Sequence, residues 1–114
     1  MIGKYKVITL CGSTKFKKEF IDTLRRLTLE GYVVLLPGVY AHSGDNLTSE
    51  DKLMLDDMHK RKIDMSDEIY VINKNDYIGD STNSEIEYAK AQGKPVNYMY
   101  PRVRLISFIN TKVE

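Results

Sequence analysis

Residues 6–13, Lys6-Val7-Ile8-Thr9-Leu10-Cys11-Gly12-Ser13, are a short apolar run that stops on a glycine and a hydroxyl residue. A run of this length, closed by turn residues, reads as a buried strand. The period then changes. Phe16, Phe20, Leu24 and Leu27 recur at helical spacing, and Gly31 ends the stretch as a glycine does at a helix C-terminus. The same alternation repeats along the chain. Tyr32 to Leu36, Glu68 to Asn73 and Pro95 to Met99 are three further strand-like runs. Before the third, Thr48-Ser49-Glu50-Asp51 offers an N-cap hydroxyl and first-turn acids. It predicts a helix over about residues 51–65, with Leu55, Met58 and Met65 facing inward. Before the fourth, a helix is expected to start near Ser81 or Thr82 and to end at Gly93, with Ile86 and Ala89 inward. Val39 to Ser49 and Lys74 to Asp80 read as loops, and Val103 to Ile109 as a last strand or a short helix.

This βαβαβαβ order predicts an α/β fold, a flavodoxin-like or Rossmann-like three-layer sandwich with a four- to five-stranded parallel sheet. The 114 residues fit one domain spanning 1–114. Sheets of this kind bind ligands where the carboxyl ends of the strands meet the following loops. Three loops should gather there: 11–15, 37–49 and 74–84.

Composition narrows the function classes. Seventeen Lys and Arg against sixteen Asp and Glu give a net charge of +1, so there is no global basic field and a nucleic acid polymer is not an expected partner. Lys15, Lys17, Lys18, Arg25 and Arg26 form the one dense basic run, which reads as the solvated face of a helix. The lone cysteine, Cys11, excludes an internal disulfide framework and fits a reducing, cytoplasmic setting. No apolar stretch approaches the length of a membrane span, and residues 1–6 lack the apolar run of a signal peptide. No membrane partner is expected.

Three clusters can carry chemistry. Cys11-Gly12-Ser13-Thr14 follows the first strand, where a glycine admits a close ligand and a helix N-terminus offers free N–H groups. Plain helix capping explains the hydroxyls equally well, and no full GxGxxG or Walker pattern is present. Cys11 by itself reads as a small buried apolar residue. The second cluster is Gly79-Asp80-Ser81-Thr82-Asn83-Ser84-Glu85. A helix start needs one cap, and this excess of polar side chains suggests a site for a polar ligand. Glu85 is the candidate centre, and the alternative is a capping box, Thr82-x-x-Glu85. The third is His59, with Asp56 and Asp57 nearby. A lone helical histidine is more often structural or exposed than catalytic. With no HExxH or paired Cys/His spacing, neither a metal nor an organic cofactor is expected. Asp67 reads as a turn or capping residue. Tyr40, His42, Tyr77 and Tyr88 can either stack on a base or simply pack.

Ile8-Thr9-Leu10-Cys11-Gly12-Ser13, Ser66-Asp67-Glu68-Ile69-Tyr70-Val71-Ile72 and, most strongly, the run 84–96 from Ser84-Glu85 through Gly93-Lys94-Pro95-Val96 together resemble the nucleoside 2-deoxyribosyltransferase-like superfamily, which includes the 2′-deoxynucleoside 5′-phosphate N-hydrolases. The resemblance runs in order over nearly the whole chain. It implies cleavage or transfer of the N-glycosidic bond of a nucleoside or nucleotide, as a transferase or a hydrolase. Glu85 matches the position of the family's nucleophile, which attacks the anomeric carbon and releases the base, as in retaining glycosidases. The family's aspartate eight residues before the acid that opens the third strand is His59 here, an imidazole able to protonate a departing base. The transferases' acid about six residues before the nucleophile is Gly79, with Asp80 beside it, and the family's glycine two residues after the nucleophile is Glu87. Cys11, Gly12, Ser13, Gly79, Asp80, Ser81 and Ser84 would then shape the sugar or phosphate site. The resemblance also implies a homodimer or larger oligomer, with Tyr98, Tyr100, Leu105, Ile106 and Phe108 as contact area. The alternatives are a non-catalytic nucleotide-binding sensor or regulatory module, or a structural role only.

Overall fold

The computed structural model describes residues 2–38 and 46–102. Four strands, β1 (Val7–Gly12), β2 (Val33–Leu35), β3 (Glu68–Ile72) and β4 (Val96–Tyr98), alternate with α1 (Lys17–Leu29), α2 (Ser49–Asp64) and α3 (Asp80–Ala91). The sheet is all parallel, in the order β2-β1-β3-β4. The chain leaves β1 in one direction to β2 and returns past it to β3, which puts the topological switch point between β1 and β3. This is the expected flavodoxin-like or Rossmann-like architecture. The last strand or short helix expected over Val103 to Ile109, with Leu105, Ile106 and Phe108, and the loop residues 39–45 with Tyr40 and His42, lie outside the described residues.

Alternation along the strands assigns the two faces. Ile8 and Leu10 of β1 and Ile72 of β3 pack against Phe16, Phe20 and Leu27, with Leu24 half-buried beside them. This is the α1 face, and it matches the helical spacing of those four residues. Cys11, Ile69 and Val71 point to the other layer, where Ile63 of α2 and Ile86 and Ala89 of α3 cover them. Gly31, at φ 97°, turns the chain from α1 into β2.

α2 departs from expectation. It begins two residues early, on a capping box in which Thr48 Oγ1 accepts from Asp51 N and an Asp51 carboxylate oxygen accepts from Thr48 N. Its buried residues are His59 and Ile63, whereas Met58 and Met65 are 47% and 63% exposed. The reason is geometric. Only a narrow seam of the helix reaches the sheet, and its N-terminal half overhangs the space beyond the strand ends. Buried polar groups close the seam: Thr9 and Ser66 hydroxyls bond each other and share the Lys62 carbonyl. Lys94 Nζ donates to the carbonyls of Ile63 and Asp64 at 2.7 and 2.9 Å, capping the end of α2. Asp67 is a strand clamp, accepting from Val7 N at 2.8 Å. Among the described residues no helix is long and apolar enough to cross a membrane.

Candidate active site

A cavity of about 570 Å³ opens at the carboxyl edge of the sheet, above the β1–β3 switch point. Gly12, Ser13 and Thr14 after β1, Pro37 and Gly38 after β2, and Tyr77 and Gly79 before α3 form its rim. Asp80, Ser81, Thr82 and Glu85 of α3 and Lys52, Leu55, Asp56, Met58, His59 and Lys62 of α2 form its walls. The volume lies in the range of small-molecule sites.

Gly12 is what lets the first loop line this space. At φ 153°, a Cβ there would stand 2.8 Å from the Ile72 carbonyl oxygen and 3.0 Å from Ile72 Cβ. Only glycine allows β1 and β3 to stay paired to this last residue. Ser13 follows, with its Oγ accepting from Lys15 N. Tyr77 packs edge-on against Phe16 at 6.0 Å, with Lys15 Nζ 3.7 Å from its ring centroid. Tyr88 sits elsewhere, bonded to Arg61 and Asp64.

α3 starts at Asp80, not at Ser81 or Thr82. Gly79 is its N-cap, no side chain caps it, and Asn83 N closes the first turn on Gly79 O at 2.9 Å. The Thr82-x-x-Glu85 capping box is therefore not formed. Thr82 is instead the third residue of the helix, buried on the cavity wall, and Glu85 lies one turn above it. Ser84 falls between these two on the helix, is exposed, and is not a lining residue. The other expected site residues meet: Gly12, Ser13, His59, Gly79, Asp80, Ser81 and Glu85 all line the cavity. Cys11 lies behind it, fully buried.

Cys11, His59 and Glu85 come from three different elements and form one cluster. Cys11 Sγ is 3.5 Å from His59 Nε2, and His59 Nε2 is 3.8 Å from Glu85 Oε1. All three are nearly sealed from solvent. Burial pushes the Glu85 carboxyl up to about 7, with Asp56 adding to the rise, while a Cys11 hydrogen bond and Lys60 oppose it. The second-turn position explains why the helix dipole, which acts mainly within the first turn, does not hold this acid ionised. Burial, helped by Lys62, pulls His59 down to about 4 against a Leu10 backbone hydrogen bond. Burial and the neighbouring Glu85 push the Cys11 thiol well above its ordinary value. At neutral pH the site thus holds a neutral imidazole, a neutral thiol and a carboxyl group near half protonation.

Of the α2 wall, the sequence pointed to His59, with Asp56 beside it, and not to Lys52, Leu55, Met58 or Lys62. Lys52, Leu55, Asp56, His59 and Lys62 share one face at i, i+3 and i+4 spacing. That signal was present, but mixed in polarity and so unlike an inward stripe.

A parallel α/β domain with a cavity of small-molecule size at its switch point is the class that fold and site define. No protein-family model matches the chain, and no curated protein matches it. Among solved structures, the fold is similar to that of the Clostridium botulinum CMP N-glycosidase BcmB. The TM-score is 0.58 at 19% identity, covering 86% of this chain and 76% of that one.

Proposed function

We propose that this protein cleaves or transfers the N-glycosidic bond of a nucleoside or nucleotide, with Glu85 as the nucleophile. The observation that carries the reading is a buried carboxyl on the wall of a nucleotide-sized cavity, 3.8 Å from an imidazole on the same wall. The likeness of the fold to a CMP N-glycosidase supports the same class of bond.

The Glu85–His59 pair accounts for the proton. Attack at the anomeric carbon requires the carboxylate, and departure of the base requires a proton. In the resting site Glu85 holds that proton. Passing it to His59 Nε2 frees the carboxylate and makes an imidazolium on the cavity wall, able to protonate the leaving base. Glu85 then carries the sugar as an ester, and water or a second base releases it. Gly12, Ser13, Asp80 and Ser81 ring the sugar and any phosphate, with the N-terminus of α3 favouring an anion.

Free base is the readout. Wild type incubated with a panel of nucleosides and nucleotides should release base from at least one of them, detected by chromatography. Glu85→Gln should fold, still bind, and release base at least about a hundredfold more slowly. A non-catalytic nucleotide sensor is the second reading, favoured by the same half-protonated carboxyl, which can donate a hydrogen bond to a ligand. Binding without base release from any compound would put the sensor ahead.

A further inference from the structure

We propose that Cys11, His59 and Glu85 form a three-ligand Zn²⁺ site whose fourth position opens into the cavity. The proposal does not rest on the glycosidase reading. Thiolate, imidazole and carboxylate are the donor types of zinc sites with one position left for a small molecule. Their ligating atoms, Sγ, a ring nitrogen and a carboxylate oxygen, all lie within 4.8 Å of one another. A tetrahedral ion with Zn–S near 2.3 Å and Zn–N or Zn–O near 2.0–2.1 Å sets its ligand atoms roughly 3.3–3.6 Å apart. The 3.5 Å Sγ–Nε2 distance falls in that range, and the 3.8 Å Nε2–Oε1 distance needs only a small inward movement.

The burial fits a metal as well. Cys11 is covered on β1, while His59 and Glu85 face the cavity from α2 and α3. An ion entering from the cavity meets the carboxylate and the imidazole first, and the thiol at the back. Binding releases the Cys11 proton and any proton on Glu85, and His59 enters neutral. The dication with one thiolate and one carboxylate is then neutral as a unit, which a buried pocket tolerates far better than separate charges. Thiolate in the donor set favours Zn²⁺ over Mg²⁺ or Ca²⁺. A metal held by the Glu85 oxygen also takes that oxygen away from any sugar.

The test is metal binding without nucleotide. Protein stripped with a chelator is titrated with Zn²⁺ against a chromogenic chelator, and with Co²⁺ by absorption. The expected results are one ion per chain, a thiolate-to-cobalt charge-transfer band in wild type, and affinity about a hundredfold or more lower in Cys11→Ser and Glu85→Gln. Circular dichroism reports whether each variant is folded, and the wild-type cobalt spectrum decides the matter if one is not. No stoichiometric binding, a cobalt spectrum without the thiolate band, or folded variants that match wild type would each overturn the site. Base release without zinc binding refutes only the metal site, and zinc binding with no base release from the chelator-stripped protein refutes only the glycosidase.

Discussion

Glu85 is held in two conflicting demands, and its pH dependence exposes them. Its carboxyl sits near 7 in the fold and near its ordinary 4.5 in the unfolded chain. Between those values the folded state binds more protons, so this group's contribution to stability is full below about pH 4.5 and is lost as pH rises through about 7. Glu85→Gln removes the loss. Its unfolding free energy should exceed that of wild type by about 1–3 kcal/mol at pH 8 and match it near pH 4, measured by urea denaturation at both values. A variant equally stable to wild type at pH 8 would show that the carboxyl carries no burial penalty. His59 has the opposite sign. Its folded value near 4 lies below 6.5, so its contribution is present above pH 6.5 and is lost as pH falls toward 4. In the proposed mechanism, the one-proton state of the Glu85–His59 pair is the productive one. Base release by wild type, read as kcat/KM, should rise above about pH 4 and fall above about pH 7. His59→Gln should be slower and should rise through pH 7 instead, because ionised Glu85 is then the sole requirement. Parallel pH profiles for the two proteins would remove His59 from proton transfer. Asp56, Lys60 and Lys62 of α2 and Cys11 of β1 face this pair, so exchanging any of them should displace the limbs.

At the scale of elements, the first strand and its glycine position everything else. Gly12→Ala would set a methyl against the Ile72 carbonyl oxygen at 2.8 Å, backbone against side chain with nothing flexible to yield. Loss of roughly 1–3 kcal/mol of stability together with nucleotide binding is the expected outcome, by thermal melting and a binding titration. An alanine variant with unchanged melting and binding would show that the end of β1 is not fixed. The strands were legible because buried parallel strands are short apolar runs with few alternatives. α1 was legible because Phe16, Phe20 and Leu27 meet the sheet directly. α2 was misread because its methionines and leucines face solvent or the cavity, while a histidine and an isoleucine hold the seam. α3 was placed late because Gly79 caps it in an extended conformation without a side-chain bond, leaving no hydroxyl signature at the true start. With the helix starting at Asp80, Glu85 falls in its second turn, where burial outweighs the helix dipole and raises its pKa.

For the whole molecule, site residues far apart in sequence meet because parallel topology brings the ends of β1 and β3 to one edge. Cys11, His59 and Glu85 carry no local spacing that announces a cluster, and only the β2-β1-β3-β4 order unites them. Leu53, Met54, Met58 and Met65 of α2 and its C-cap are exposed, and we propose that a second copy covers them, a different surface from the Tyr98, Tyr100, Leu105, Ile106 and Phe108 contact expected from the sequence. Light scattering at high micromolar concentration should give a mass of two chains or more. A monomer mass would leave that face to solvent.

The central claim is that Glu85 attacks the sugar, and the covalent intermediate tests it most directly. Protein mixed with a nucleotide that it cleaves is quenched in acid during turnover, digested and mapped by mass spectrometry. A glycosyl adduct on the peptide containing Glu85, absent from Glu85→Gln, is the predicted result. Base release at an undiminished rate in Glu85→Gln, with no adduct on Glu85 in wild type, would contradict it.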